Sequence, residues 1–194
     1  MDRKMRHFKT IGLSIILFLS ISCSSGQNKS ETRNESKNEI SKYKIPEFDI
    51  EFPKTEFKVA KTENRDPSLN VLITNMILQG ADNNNPFMYF VAYNELPEKL
   101  KTLIEKDPNS LNVAFQAMLT SSATKLGGTD FKFKEITLNE LKGTESICKV
   151  FDGNGIIKSR VFLIENYIFM ISAGGRDISI EKVDNFLNSF RIKK

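Results

Sequence analysis

The chain has 194 residues, with 28 Lys plus Arg, 24 Asp plus Glu and a formal net charge of +4. This length favours one domain, and no stretch reaches the about 20 apolar residues that a membrane-spanning helix needs. The single histidine is His7. The rest of the chain therefore cannot build a Ser-His-Asp triad, a Cys-His pair or a histidine metal site.

The first 22 residues have the pattern of a secretory signal peptide. A basic start at residues 3–9 is followed by an eleven-residue stretch, 11–21, that contains only Ile, Leu, Phe, Gly and Ser. Small residues follow near position 22, as expected for a cleavage site. At about 1.5 Å per residue, this core spans only about half a bilayer. We predict that residues 1–22 are removed.

Cys23 directly follows this pattern, in the stretch Leu19-Ser-Ile-Ser-Cys23. The stretch resembles the signal of bacterial lipoproteins, which are cut before a cysteine that becomes acylated. The resemblance implies a membrane partner reached through lipid on Cys23 and a place in the cell envelope. Since no Asp follows Cys23, it implies the outer membrane in a Gram-negative host. The alternative is ordinary cleavage after Ser22, which would leave a soluble secreted protein.

Removal of the signal changes the charge balance. Residues 1–22 carry four basic side chains and one acidic one, so 24 basic and 23 acidic groups remain and the net charge becomes +1. Nucleic-acid binding needs a basic patch, and the remaining chain offers no such excess. We therefore predict no nucleic-acid partner, and we predict no cofactor, no metal site and no catalytic site.

Residues 23–44 are predicted to form a tether. Ile40 is the only clearly apolar residue between Ser24 and Lys42. Such a segment buries too little apolar surface to offset the entropy of ordering, so disorder is expected. About 20 flexible residues give an end-to-end distance of about 25 Å. The tether would hold a globular domain, residues 45–194, clear of the lipid head groups.

The first half of this domain has strand patterns. Phe48, Ile50 and Phe52 alternate with acidic residues, which predicts a half-buried strand that ends at Pro53. The turn-rich stretch 80–86 suits a hairpin connection. The four strands predicted in this half cover residues 48–52, 56–61, 69–79 and 87–93.

The second half adds helices and further strands. One helix is predicted to begin at Pro97, because proline favours the first turn of a helix. A second helix is predicted over 110–126 and ends at Gly127-Gly128. Short loops at 152–155 and 165–166 imply antiparallel neighbours. The nearly continuous apolar strands indicate a sheet covered on both faces. These strands are predicted at 131–138, 145–151, 156–164 and 167–172, before a last helix at 178–190. The predicted fold class is α+β, an antiparallel sheet with helices packed on both faces.

The order of these segments resembles the PsbP-like domain family, which includes extrinsic photosystem proteins and small bacterial lipoproteins. The resemblance rests on Phe87–Tyr93 before a helical middle, on Arg160–Leu163 and Tyr167–Ile171, and on the closing stretch Val183–Ile192. It covers residues 45–194 and implies an α/β/α sandwich. It carries over no functional residues, because the family pattern has no catalytic motif to align.

Candidate reactive residues each have a structural alternative. Cys148 could be a nucleophile, but no histidine is available to activate it, and a buried apolar role is the alternative. Glu47, Asp49 and Glu51 could attract Ca²⁺ or simply form a solvated strand face. The stretch that begins at Asp152 lacks the Gly and Glu of a calcium loop and is predicted to be a hairpin turn.

Three residues are candidates for an interaction surface. Arg176, in the link before the last helix, could hold an anion at the helix N-terminus, while Asp177 is predicted to cap that helix. Phe87 and Tyr89, beside the Asn-rich stretch 80–86, could form an exposed binding edge. The predicted function is a non-catalytic, envelope-anchored module that contacts an envelope protein as an accessory or assembly factor. The alternative is a binding protein for a small apolar or anionic ligand.

Overall fold

The computed structural model describes residues 44–66, 70–82 and 85–193. The predicted signal peptide, Cys23 and nearly all of the predicted tether lie outside these residues. The strands are β1 (Phe48–Asp49), β2 (Ala60–Asp66), β3 (Val71–Asp82), β4 (Asn85–Glu95), β5 (Thr129–Leu138), β6 (Leu141–Val150), β7 (Gly155–Ile164), β8 (Tyr167–Arg176) and β9 (Arg191–Ile192). The helices are α1 (Glu98–Lys106), α2 (Asn109–Thr124) and α3 (Ile180–Ser189), with one 3-10 turn at Phe151–Gly153.

Seven of the strands form one antiparallel sheet in the order β2-β3-β4-β8-β7-β6-β5. The pair β4–β8 joins the two halves of the chain in the middle of the sheet, where Tyr89 lies opposite Ala173. The remaining two strands, β1 and β9, form a separate pair. This sheet with three helices confirms the prediction of an antiparallel α+β fold. No helix of the described residues combines the length and the apolar character needed to cross a membrane.

The side chains of β4 alternate between two hydrophobic clusters. Phe90 and Ala92 belong to a cluster that contains Phe115 and Leu119 of α2. The odd-numbered side chains of β4 belong to a second cluster, which contains the α3 residues Val183, Phe186 and Leu187. Both sets are buried, which explains why this strand reads as a continuous apolar run.

Two of the early strand predictions are wrong in extent. The predicted strand at 48–52 forms only β1, in which Phe48 lies opposite Ile192 and Asp49 opposite Arg191. The strand predicted at 56–61 lies instead at Ala60–Asp66, in register with β3. This edge strand is charged and almost entirely exposed, so it carries no apolar alternation that could have located it.

The link predicted before the last helix is also wrong. Gly174 and Arg176 belong to β8, which is longer than predicted. A Cβ at Gly174 would lie 2.3 Å from the backbone oxygen of Ile156, so the glycine permits close approach of β7. The cap of α3 is Ser179, whose Oγ accepts a hydrogen bond from the backbone N–H of Lys182 at 3.3 Å. It is not Asp177, as predicted; that residue has a φ of 53°.

Candidate ligand-binding groove

A groove of about 580 Å³ opens beside α3. Four aromatic side chains line it, Phe52, Phe87, Tyr89 and Phe186, and we call it the aromatic groove. They come from the segment that follows β1, from β4 and from α3. The volume lies within the about 300–1,000 Å³ that is usual for small-molecule sites.

The segment 51–55 forms one wall of the aromatic groove. The backbone N–H of Glu51 donates to Oγ of Ser189 at 3.0 Å, and the Ser189 hydroxyl donates to the carbonyl of Phe186 at 2.7 Å. The ring centroid of Phe52 lies 5.2 Å from that of Phe186. The last turn of α3 therefore holds this wall in place through one hydrogen-bond relay and one ring contact.

Ring contacts continue through the rest of the aromatic groove. Tyr89 and Phe186 meet edge to face, with centroids 5.1 Å apart. The Phe87 centroid lies 5.9 Å from Tyr89 and 5.7 Å from Phe57. Such distances are typical of favourable aromatic pairs. The rings thus support one another, and the concave shape does not depend on a single contact.

The structure corrects the expectation of an exposed edge at Phe87 and Tyr89. Tyr89 is only 5% exposed and Phe87 is half-buried. The reason is that β4 lies inside the sheet and Phe186 of α3 packs on Tyr89. Burial raises the pKa of Tyr89 above its ordinary value, so the phenol stays neutral at physiological pH. Both residues nevertheless line the aromatic groove.

Arg176 also borders the aromatic groove, so all three predicted interaction residues meet at one site. Its guanidinium carbon lies 5.2 Å from the centroid of the Phe151 ring, which does not line the groove. This is cation–π geometry. The other rim cations, Lys54 and Lys182, share the rim with two acidic residues, Glu51 and Asp177. The rim therefore has mixed charge.

The three acidic residues near β1 have different surroundings. Oδ1 of Asp49 lies 2.8 Å from Nζ of Lys193, and the pKa of Lys193 is raised by this hydrogen bond and by the charge of Asp49. Glu47 pairs with Lys44 at 3.6 Å, whereas Glu51 lies at the aromatic groove. Within the described ranges, no group of three or more His, Cys, Asp or Glu side chains could hold a metal ion.

Cys148 is buried in a third apolar cluster, with Val150 and Ile157. Burial raises the pKa of its thiol, and a backbone hydrogen bond with Ile157 opposes the shift more weakly. The thiolate is the nucleophilic form, so a buried thiol with a raised pKa is inert. The structure confirms the prediction that Cys148 has a buried apolar role.

A second groove, of about 750 Å³, lies between β5 and the end of α3. Three basic residues line it, Lys134, Arg160 and Arg191. Nε of Arg160 donates to Glu145 at 2.7 Å, and Arg191 donates to two backbone carbonyls. Because two of the three cations already have partners, this surface is less suited to a ligand than the aromatic groove.

Sequence reasoning did not single out Phe52 and Phe186 as site residues. Phe52 fits the alternation near β1, and Phe186 fits the apolar stripe of α3, so both were assigned to the core. Phe186 is indeed buried. A periodic pattern reports burial but not the shape of the neighbouring surface, and no local motif marks these two positions.

Comparison with known protein families, with curated proteins and with solved structures gives no significant match. The lipoprotein signal and the PsbP-like domain therefore stay predictions.

Proposed function

We propose that this chain is a non-catalytic binding protein of the cell envelope that takes a small, largely apolar ligand into the aromatic groove. The observation that carries the proposal is the lining of one concave site of about 580 Å³ by four aromatic side chains. Apolar concave sites with a few polar groups are the usual form of small-molecule sites. A ligand would place its apolar body against the rings and any polar group at the rim.

The location rests on the N-terminal sequence pattern. Cleavage after residue 22 and acylation of Cys23 would fix the protein to a membrane, which would be the outer membrane in a Gram-negative host. Residues 23–44 would then act as the tether. A tether of about 25 Å would hold the domain clear of the lipid head groups but within reach of the membrane.

We infer further that residues 45–194 form an α/β/α sandwich of the PsbP-like kind. The support is that Phe90 and Ala92 of β4 share a hydrophobic cluster with residues of α2, whereas the odd-numbered side chains from Tyr89 to Tyr93 share a second cluster with residues of α3. Successive side chains on a strand point to opposite faces. The helices would then cover the two faces of the sheet.

The non-catalytic part of the proposal rests on the residues that are present. The only histidine, His7, lies in the predicted signal peptide. Cys148 is buried and does not line the aromatic groove. The groove itself presents hydroxyl, amide, Lys and Arg groups and two carboxyl groups, but no His or Cys, around aromatic rings, a composition that suits binding better than acid–base chemistry.

Native mass spectrometry of the full chain, purified from its own envelope in mild detergent, tests the proposal. We expect the wild-type protein to retain a small molecule and the Phe87→Ser variant to lose it, because the change removes one aromatic wall. Phe133→Ser is the matched control, since Phe133 is 38% exposed on β5 and lies outside the groove. Equal retention in Phe87→Ser, or no retained molecule in wild type, would contradict the proposal.

Contact with an envelope protein is the second candidate. β5 ends the seven-stranded sheet, so within the described residues one side of its backbone has no strand partner. The Phe133 ring on this strand stacks on Phe131 at 6.2 Å. A partner can add a strand to such an edge. A photo-crosslinking residue at Phe133 should then capture one envelope protein, and one at the exposed Leu103 of α1 should not; equal capture at both positions would contradict this role.

A further inference from the structure

The hydroxyl of Tyr89 makes no hydrogen bond within the described residues, although Tyr89 is only 5% exposed. Buried tyrosine hydroxyls usually have a partner. In the described part of the chain, every side-chain oxygen or nitrogen that is completely buried has a hydrogen-bond partner. The Tyr89 hydroxyl has none, so it is not completely buried and must reach solvent. Because Tyr89 lines the aromatic groove, the groove provides that access. The Tyr89 hydroxyl is thus an unpaired polar group at a site that three further aromatic side chains and several polar ones line.

The surroundings of this hydroxyl disfavour charge. Burial raises the pKa of Tyr89, and no charged neighbour contributes to the shift. The charged side chains of the aromatic groove belong to its rim, as described above: Glu51, Lys54, Arg176, Asp177 and Lys182. An ionised group beside Tyr89 would lose hydration without gaining a partner of opposite charge. The inner end of a ligand should therefore be uncharged.

We propose that the aromatic groove binds an uncharged planar molecule with an oxygen on its ring, of the phenol or quinone class, and that the Tyr89 hydroxyl hydrogen-bonds that oxygen. This inference rests on the proposed function and names the class of ligand for the same site. A phenol hydroxyl can both donate and accept, so it suits either a ring hydroxyl or a ring carbonyl. The ring centroids of Phe87 and Phe186 lie 5.9 and 5.1 Å from that of Tyr89, so a planar molecule in the groove could make aromatic contacts with both rings.

Titration of the full chain with 1-naphthol and naphthalene tests the inference, because the two probes differ by one hydroxyl. We expect wild type to bind 1-naphthol about 3- to 10-fold more tightly, the effect of one net neutral hydrogen bond. Tyr89→Phe should abolish this preference, so that the two probes bind with equal affinity. Tyr93→Phe is the matched control, since Tyr93 is buried on the same face of β4 but does not line the groove. Ionised 1-naphthoate should bind more weakly than 1-naphthol.

The outcomes separate this inference from the proposed function. A preference for 1-naphthol that disappears in Tyr89→Phe and persists in Tyr93→Phe supports the inference. If wild type binds both probes equally, if the preference survives in Tyr89→Phe, or if 1-naphthoate binds best, the inference is overturned and the groove remains a binding site. If neither probe binds to wild type, both the inference and the proposed function are overturned. Circular dichroism melts of each variant establish that it is folded before titration.

Discussion

Nζ of Lys158 lies 2.7 Å from Oδ1 of Asp184 and thereby joins β7 of the sheet to α3. The same ammonium lies 3.3 Å from Glu145, which also accepts from Arg160 at 2.7 Å. These side chains are mostly buried at one interface between the sheet and α3. Since α3 also carries Phe186, this network helps to fix one wall of the aromatic groove.

Lys158→Met should lower the free energy of unfolding by about 2 kcal/mol, because it leaves Asp184 without its cation. The expected cost lies below that of a fully buried pair, since the network keeps some contact with water. Urea denaturation measures this change in the free energy of unfolding. Lys149→Met is the control, because its pair with Asp130 has side chains that are 58% and 62% exposed, and a change below about 0.5 kcal/mol is expected. Equal costs for the two variants would contradict a structural role for the network.

Gly174→Ala should destabilise the protein by about 2 kcal/mol or more. The new Cβ would lie 2.3 Å from the backbone oxygen of Ile156. β7 and β8 cannot move apart to relieve this clash without losing the backbone hydrogen bonds between them. Gly153→Ala is the comparison, since Gly153 has a φ of 90° and open space around its Cβ. That change should cost only about 1 kcal/mol, from backbone strain. Thermal melts rank the two variants, and the opposite order would refute the close approach of β7 and β8.

Cys148 should make stability fall at alkaline pH. Its pKa is raised in the folded state, so the unfolded thiol, with a pKa of about 8.5, loses its proton first. The unfolded state then binds fewer protons, and stability decreases as pH rises above about 8.5. The stability of wild type relative to Cys148→Ala should therefore decline between about pH 7.5 and 9.5 in urea titrations. A constant difference would show that the thiol does not titrate as described.

Phe48→Ala should cost about 2–3 kcal/mol. The Phe48 ring lies 5.5, 5.3 and 5.7 Å from the rings of Tyr93, Phe169 and Phe190, so it anchors the segment that continues into the wall of the aromatic groove. Phe133→Ala, at the exposed edge of the sheet, should cost about 1 kcal/mol or less. Chemical denaturation compares the two, and a smaller loss for Phe48→Ala would show that the segment is not anchored there.

The sequence by itself predicted most of the secondary structure, because these signals are local. The apolar run at 161–171, broken only by two turn residues, predicted paired antiparallel strands, and β7 and β8 occupy it. Gly127-Gly128 predicted the end of the second helix, and the N–H of Gly128 bonds the carbonyl of Ala123 at 2.9 Å. The same local reasoning placed Cys148 in the core.

Only the tertiary structure decided the environment of the candidate site. Phe52, Tyr89 and Phe186 are far apart in the chain, and they meet because α3 packs on β4 while the segment after β1 packs on α3. The position of Arg176 over Phe151 likewise follows from the extension of β8 beside β7. A sequence pattern records how each residue relates to neighbours two to four positions away. The concave surface and the unpaired hydroxyl depend on contacts between distant segments, which packing of the whole domain selects.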